Sequence, residues 1–134
     1  MALIHQHNHW TTKGVSFYGN HKMFDELYES ALADLDEAAE KLLGLFGDSV
    51  LDYDLQTELL GKVLSKYSKL EGSPWDMSLA VEKEFIAFSK SAYECFDEEG
   101  QLSLGLDDLI MEIASHREKS VYHLQQTLKG QDHE

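Results

Sequence analysis

The sequence predicts an all-α helical bundle, and three observations indicate that class. Apolar side chains recur every three or four residues through long stretches of the chain, which is the period of one helix face. No run between turn signals alternates apolar and polar residues as a half-buried strand does. The 134 residues, 43% of them hydrophobic, suit a single domain, residues 1–134, around one core.

The first segment reads HQHNHW at residues 5–10 and places three histidines on alternate positions. If this segment is helical, His5 and His9 share a face and His7 points elsewhere. We expect His5 and His7 to belong to a solvated, histidine-rich start of the chain.

A long amphipathic helix follows, from the cap residue Ser16 to the stop residue Gly47. Its apolar stripe advances by three or four residues at every step once one histidine is counted among its members. The stripe comprises Phe17, His21, Phe24, Tyr28, Leu32, Leu35, Ala39, Leu42 and Phe46.

Three further helices are predicted after the long one. The first of these spans about Leu51 to Leu70. The next begins with Ser73 as its cap and Pro74 at its first position, carries a stripe that includes Phe88, and runs to the polar DEEGQ segment. The last spans about Leu106 to Leu128, and the polar residues after it, KGQDHE, are expected to fray.

The composition limits the classes of partner. The chain has 25 acidic and 11 basic residues, a net charge of −14, and the basic residues are scattered. Such a chain should repel nucleic acid and attract cations. No apolar run is long enough to span a membrane, no secretory signal pattern is found, and Cys95 is the single cysteine. We therefore expect a cytoplasmic protein without membrane association.

Candidate metal ligands lie in both halves of the long helix. His21 is near its start, while Asp36 and Glu40, four residues apart, share a face of its second half. Fifteen residues separate His21 from Asp36, or roughly 22 Å at about 1.5 Å per residue. Ligands of one metal ion lie about 2.0 to 2.2 Å from it. One straight helix therefore cannot complete the site alone.

Two antiparallel copies of this helix could complete it. A two-fold axis near the helix middle would bring His9 and His21 of one chain to Asp36 and Glu40 of the other. A homodimer would then hold two shared sites. Carboxylate oxygens combined with imidazole nitrogens suit iron, manganese or zinc more than copper(I).

The same region carries three linked motifs, H-W-x-x-x-G-x-x-F, H-x-x-F-x-E-L-Y and D-E-x-A-E-K. They occur in residues 9–42, which read HWTTKGVSFYGNHKMFDELYESALADLDEAAEKL. In both the motifs and the spacing of the four candidate ligands, this stretch resembles the DNA-binding proteins from starved cells (Dps), a branch of the ferritin-like superfamily. The last helix, with its pattern H-x-E-K-x-x-Y-x-L, resembles the family more loosely.

The resemblance implies a ferritin-like four-helix bundle, here with a shortened first helix and an extra helix in the middle connection. It implies homodimers, assembled into a hollow and usually dodecameric shell, with a ferroxidase centre at each dimer interface. His9, His21, Asp36 and Glu40 match the family's iron ligands. Trp10 matches the aromatic residue beside the family's site, an interpretation that is weighed evenly against packing in the core. Family members oxidise Fe(II) with hydrogen peroxide or O2, store the ferric product and protect against peroxide.

Two departures from the family affect the partners. Only eight residues precede His9, fewer than in the family's first helix, and the lysine-rich tail with which some members bind DNA is missing. We expect no tight DNA binding at physiological salt. Two alternatives stay open at this point: a non-enzymatic ferritin-like dimer that binds zinc or no metal, and an acidic bundle that binds a partner protein.

For the other polar residues that stand out in the sequence, we expect ordinary structural positions. Glu112, His116 and His123 are expected on a solvated face of the last helix, because they lack the Glu-x-x-His spacing of a bundle-centre di-metal site. Cys95 is expected to be packed and unreactive. Acidic residues near helix ends are expected to be ordinary helix-end and loop residues, or the lining of pores in a shell. They are Asp97, Glu98, Glu99, Asp107 and Asp108.

Overall fold

The computed structural model describes residues 1–131 and confirms the all-α class. Its α-helices are α1 (Ala2–Thr11), α2 (Phe17–Phe46), α3 (Tyr53–Ser68), α4 (Pro74–Glu98) and α5 (Leu104–Gln131). A 3-10 turn, Asp48–Val50, follows α2, and the described residues contain no strand. α1 is the predicted short first helix, and α3 is the predicted extra helix of the middle connection.

The polar end of the chain differs from the prediction as far as it is described. Lys129 and Gly130 are not frayed, because α5 continues through them to Gln131. Asp132, His133 and Glu134, the rest of that polar end, lie outside the described residues. Within residues 1–131, no helix is both long enough and apolar enough to cross a bilayer.

Local chemistry sets the helix boundaries. Gly47, which ends α2, has a φ of 81°, a left-handed conformation that glycine adopts at little cost. Ser73 and Asp76 form a capping box at the start of α4, in which each side chain accepts the backbone N–H of the other residue. Pro74 takes the first helical position, as predicted. Ser16 precedes α2, but its side chain makes no capping hydrogen bond.

Packing between the helices defines their directions. Phe24 stacks on Trp75 near the starts of α2 and α4, and Phe46 stacks on Phe96 near their ends, so these two helices run parallel. Leu124, near the end of α5, packs with Phe24 and Trp75, so α5 runs in the opposite direction. α3 supplies the crossing connection that parallel neighbours require. We call the end at which α2 and α4 begin the upper end.

The apolar core is concentrated in the upper half, where all four bundle helices are present. One cluster comprises Phe24, Leu27, Trp75 and Leu124. The other joins α1, α3 and α4 and comprises Ile4, Tyr67 and Val81. Both clusters lie beside the first turns of α4, so they fix how α1 and α2 approach it.

The lower half of the bundle lacks a fourth helix. α1 has 10 residues, whereas α2, α4 and α5 have 30, 25 and 28. Below the start of α1, an apolar groove lies open between α2 and α4. It consists of two adjoining cavities of about 460 and 240 Å³ that share Ala38, Phe85, Phe88 and Ile113 as lining residues.

Several residues of the predicted apolar stripes are consequently exposed. Leu32 and Leu35 on α2 are 46% and 61% exposed, and Phe88 on α4 is 64% exposed. The periodic pattern correctly indicates that these residues share a helix face. They are exposed because no described element of the same chain covers that face.

Candidate functional site

The end of α1 and the start of α2 bring two histidine rings face to face. The ring centroids of His9 and His21 lie 3.6 Å apart, with 23° between the ring planes. Nδ1 of His9 donates to the backbone carbonyl of His21 at 2.7 Å, and Nδ1 of His21 donates to the carbonyl of His9 at 2.8 Å. Because a carbonyl oxygen can only accept, each Nδ1 must carry a proton.

These reciprocal hydrogen bonds define which nitrogen is available to a ligand. A neutral imidazole that is protonated on Nδ1 has its lone pair on Nε2. Within residues 1–131, neither Nε2 atom of the pair has a hydrogen-bond partner. Metal-binding histidines commonly have this arrangement, in which the second ring nitrogen donates to a carbonyl and so fixes the tautomer and the ring orientation. The pair is therefore chemically suited to bind a metal ion through Nε2.

Aromatic side chains surround the pair. Phe17 stacks on His21 with a centroid distance of 5.0 Å, and Tyr28 points its edge at His9 across 5.5 Å. Asp25 lies one helical turn after His21, on the same face of α2. The Asp25 carboxylate hydrogen-bonds the phenol of Tyr28 and raises the pKa of that group. The sequence interpretation did not single out Asp25, which shares a helix face with His21 through its i,i+4 spacing.

Asp36 and Glu40 lie on the lower part of the same helix and are both exposed. α2 is continuous from Phe17 to Phe46, so it does not fold these carboxylates back onto His21. The described residues contain no group of three or more His, Cys, Asp or Glu side chains that could hold one metal ion. One chain therefore presents the two halves of the candidate site separately, and the ligand roles of all four residues stay predictions.

Trp10 is 66% exposed, which excludes the interpretation that it is a core residue of this chain. It directly follows His9 in the last turn of α1. His7 is exposed as expected. Cys95, expected to be packed, is exposed, because the face of α4 that carries it has no neighbour among the described elements.

The expectation that His5 is solvated is wrong. Its side chain is fully buried, and it bonds Ser78 at 2.9 Å through Nδ1 and Glu82 at 2.8 Å through Nε2. Since a carboxylate only accepts, Nε2 carries the proton and Nδ1 accepts from the Ser78 hydroxyl. Burial lowers the pKa of His5, and the neighbouring Glu82 opposes that effect only in part.

Glu82 belongs to a polar network in the interior of the bundle. Arg117 Nη1 lies 3.1 Å from Glu82 Oε1, and Arg117 Nε lies 3.1 Å from Asp34 Oδ2. Nδ1 of His116 donates to the other oxygen of Asp34 at 2.8 Å. His116 is exposed as expected, with 44% of its side chain accessible, and its Nδ1 is in addition bonded to the buried carboxylate of Asp34.

The remaining acidic residues mostly lie as expected, on solvated faces or near helix ends. Glu112 and His123 are exposed on α5, and Asp97 and Glu98 lie in the last turn of α4. Along the α2–α5 seam, a cleft of about 590 Å³ is lined by several carboxylates and one lysine. The carboxylates are those of Glu37, Glu40, Asp108 and Glu112. Such a cleft raises the local concentration of cations.

Comparisons with known proteins give distant similarities. No protein-family model matches the chain, and no solved structure gives a significant match. General stress protein 20U of Bacillus subtilis is 28% identical over 124 residues, which are 89% of this chain and 81% of that protein. DNA protection during starvation protein 2 of Bacillus anthracis is 42% identical over 45 residues, which are 33% of this chain and 31% of that protein.

An uncharacterized protein of Haemophilus influenzae is 46% identical over 37 residues, 28% of this chain and 23% of its own length. In two of the three relatives, then, the alignment spans less than a third of the relative. The chain is thus distantly similar to proteins named for general stress and for starvation.

Proposed function

We propose that this chain is a Dps-like, stress-related protein that binds Fe(II) as a substrate and oxidises it at sites shared between two copies. The observation that carries the proposal is the reciprocal hydrogen bonding of His9 and His21. It leaves the Nε2 lone pairs of two adjacent rings without a partner, at the start of a helix whose second half carries Asp36 and Glu40. The similarity to starvation and stress proteins supports the same conclusion.

The proposed second copy lies against the exposed face of α2. Leu32 and Leu35, near the middle of this helix, are 46% and 61% exposed, and burial of such side chains in an interface is favourable. Exposed leucines of α3, which are Leu55, Leu59 and Leu60, would extend the same interface. A two-fold axis through the middle of α2 would bring His21 of one copy near Asp36 and Glu40 of the other.

The proposed donor set suits the reaction. Imidazole nitrogens bind Fe(II), and carboxylate oxygens bind the harder Fe(III) ion more strongly. Together these ligands favour oxidation of the bound metal. Asp25, beside the histidine pair, would add a carboxylate from the same chain as the imidazoles. Two ferrous ions supply the two electrons that reduce one hydrogen peroxide molecule to two waters, with uptake of two protons. If the dimers assemble into a shell, the ferric product would collect inside it.

DNA binding is not part of the proposed function, although one relative is named for DNA protection. With a net charge of −14, the chain offers few cations to neutralise phosphates. Plasmid DNA should therefore migrate freely with the protein in a gel-shift experiment at about 0.15 M salt. Retained DNA under those conditions would contradict this part of the proposal.

The experiment that tests the activity is aerobic or peroxide-driven oxidation of Fe(II), followed by the ferric absorbance. His21→Ala and Asp36→Ala should each slow the initial rate about tenfold or more, because each removes a ligand from every shared site. His7→Ala is the matched control, since His7 is an exposed histidine of α1 outside the pair. Its rate should equal that of the unchanged protein.

Each alternative function predicts a different result in these experiments. Rates unaffected by both ligand substitutions would refute the enzymatic proposal. Zinc binding that depends on His9 and His21, without any catalysed oxidation, would indicate a non-enzymatic metal-binding dimer. A monomer in sedimentation experiments would exclude shared sites and favour an acidic bundle that binds a different partner.

A further inference from the structure

The first helix depends on its contacts with the rest of the bundle. α1 has 10 residues, no side-chain hydrogen bond at its cap and no acidic residue in its first turn. Isolated helices shorter than about 12–15 residues are marginal in water, so α1 is helical because it is docked. Its buried residues are Ile4, His5 and Asn8, and two of these three are polar. The docking of α1 therefore depends on polar contacts as well as on the apolar contacts of Ile4.

A short hydrogen-bond network joins these polar residues to the start of α4. Nδ1 of His5 lies 2.9 Å from the hydroxyl oxygen of Ser78, and Nε2 lies 2.8 Å from Oε1 of Glu82. The side-chain amide of Asn8 donates to the same hydroxyl and to the backbone carbonyl of Pro74, both at 2.9 Å. Ser78 is therefore the point at which two side chains of α1 meet α4.

The order of donors in this network requires a neutral His5. Asn8 donates to Ser78, whose own proton then points to Nδ1 of His5, while Nε2 donates to Glu82. A second proton on the ring would make Nδ1 a donor as well. Two donors would then face the Ser78 oxygen, and the hydroxyl proton would lose its acceptor. Burial also opposes the added charge, and it lowers the pKa of His5.

The charges around His5 are balanced without a proton on its ring. The helices packed around it contribute ionisable groups, and those of α3 are bonded to Glu84 of α4. Two interior carboxylates, Glu82 and Asp34, are left with two cations, Arg117 and the amino group of the chain. A proton on His5 would add a third cation. The full set of groups is the Met1 amino group, Asp34 on α2, Lys66 and Tyr67 on α3, Glu82 and Glu84 on α4, and Arg117 on α5.

The three longest helices are joined by contacts that do not involve α1. Phe24 on α2 stacks on Trp75 of α4 with a centroid distance of 4.3 Å, and Leu124 on α5 packs against both. At the opposite end of the bundle, Phe46 stacks on Phe96. Loss of α1 would leave these contacts in place, so α1 can open as a separate unit.

We infer that α1 is a pH-dependent switch: it is docked while His5 is neutral, and the uptake of one proton by His5 releases α1 while α2, α4 and α5 stay packed. Release also separates the rings of His9 and His21, because their reciprocal hydrogen bonds join α1 to α2. The inference does not rest on the proposed function, since the docking of α1 is defined and measured without iron.

Proton counting gives the direction of the effect. In the released helix His5 is exposed to solvent, and its pKa returns to about 6.5. Below that pH the released form binds one more proton than the docked form, so the ratio of released to docked chains should rise by up to about tenfold per pH unit. The Met1 amino group and any repulsion between protonated His9 and His21 add separate contributions, which are the same in a variant of His5.

Hydrogen exchange of the full chain between about pH 7.5 and about pH 5.5, corrected for the intrinsic rates and followed by mass spectrometry, measures this opening. The peptide that covers α1 should be at least about tenfold less protected than those that cover Phe24 and Leu124. Its protection should also fall as the pH decreases. Equal protection of α1 and the core at every pH would overturn the inference, as would protection of α1 that does not depend on pH.

His5→Gln removes the titrating group but keeps its hydrogen bonds. The amide can donate to Glu82 and accept from Ser78, as neutral His5 does. This variant should lose up to about tenfold per pH unit from the pH dependence of α1 protection. His7→Gln, at an exposed position of the same helix, is the control and should keep the full dependence. A full dependence in His5→Gln would overturn the inference.

Phe96→Ala provides a second test that leaves α1 unchanged. It removes the ring that stacks on Phe46, far from α1, and should lower the protection of the peptide around Leu124 about tenfold or more. The protection of α1 should stay the same, because α1 opens while the core is intact. An equal loss in both peptides would show that α1 leaves only when the whole chain unfolds, and would overturn the inference. Fe(II) oxidation is a readout in none of these experiments, so failure of the proposed function would not affect their result.

Discussion

Nε2 of His5 lies 2.8 Å from Oε1 of Glu82, and neither side chain is exposed to solvent. Arg117 already pairs with the same carboxylate oxygen, so Glu82 does not need a second cation. Ser78 and Asn8 complete the chain of hydrogen bonds, because Asn8 donates to Ser78 and Ser78 donates to His5. Each donor in this chain of hydrogen bonds has an acceptor when His5 is neutral, in agreement with the lowered pKa that burial gives His5.

The first prediction is that stability falls as the pH decreases below about 6.5, the ordinary pKa of histidine. Because the pKa of folded His5 lies lower, the unfolded chain binds the additional proton in this window, and protonation favours unfolding. One proton contributes at most about 1.4 kcal/mol per pH unit. Urea unfolding between about pH 7.5 and about pH 5.5 measures the slope.

The pH range separates His5 from the carboxylates. The pKa of Glu84 is lowered by its hydrogen bond from Tyr67, so its contribution is lost only at more acidic pH. His5→Gln should reduce the dependence and leave only the contribution of the Met1 amino group, whose pKa burial also lowers, whereas His7→Gln, at an exposed position of the same helix, should leave the slope unchanged. Stability that is constant or rises as the pH decreases through this window would show that His5 is charged in the folded chain.

The helices could be predicted from the sequence because their signals are local. The Ser73–Pro74 start of α4 and the Gly47 end of α2 depend on residues within one turn of the boundary. The separation of His21 from Asp36 along one continuous helix likewise follows from counting residues on a rod. Chemistry and geometry at short range were sufficient for these features.

Burial could not be predicted in the same way, because it depends on distant partners. His5 is buried by Ser78 and Glu82, more than seventy residues away in the chain, and no nearby residue indicates this. Conversely, Leu35 and Phe88 belong to regular apolar stripes, yet they are exposed because α1 is too short to cover them. Periodicity identifies which residues share a face, but not which faces acquire a neighbour.

The second prediction contrasts two phenylalanines. Phe24 is completely buried and stacks on Trp75 with a centroid distance of 4.3 Å, so Phe24→Ala should lower the free energy of unfolding by about 3–5 kcal/mol. Phe88 lies in the open groove and is 64% exposed, so Phe88→Ala should cost less than about 1 kcal/mol. Chemical denaturation of both variants decides this. Equal losses would indicate that the groove is covered in solution.

The third prediction concerns the capping box of α4. Ser73→Ala removes the acceptor of the Asp76 N–H and should lower the free energy of unfolding by about 0.5–2 kcal/mol. Hydrogen bonds from Ser73 also lower the pKa of Asp76, so the variant should raise that pKa toward its ordinary value, which carboxyl NMR titration can follow. Ser91→Ala, at an exposed position inside the same helix, is the control and should change stability little. An unchanged Asp76 titration in Ser73→Ala would contradict the assigned hydrogen bonds.

The fourth prediction tests directly whether the two halves of the proposed iron site come from different copies. In a dimer formed by one His21→Ala chain and one Asp36→Ala chain, one shared site lacks both residues and the other is intact. Random mixing makes half of the dimers hybrids, each with one working site of two, so the mixture should oxidise Fe(II) at about a quarter of the unmodified rate. Each variant alone should be nearly inactive. An equal mixture of His7→Ala and Asp36→Ala chains is the control. Half of its sites contain Asp36, so it should show about half of the unmodified rate whether or not the subunits exchange. If both groups instead served a site within one chain, mixing would give only the average of the two inactive parents.

Exchange of subunits can also be prevented by crosslinking each parent before mixing. Activity that recovers on exchange, but does not recover after crosslinking, would place His21 and Asp36 on opposite sides of an interface.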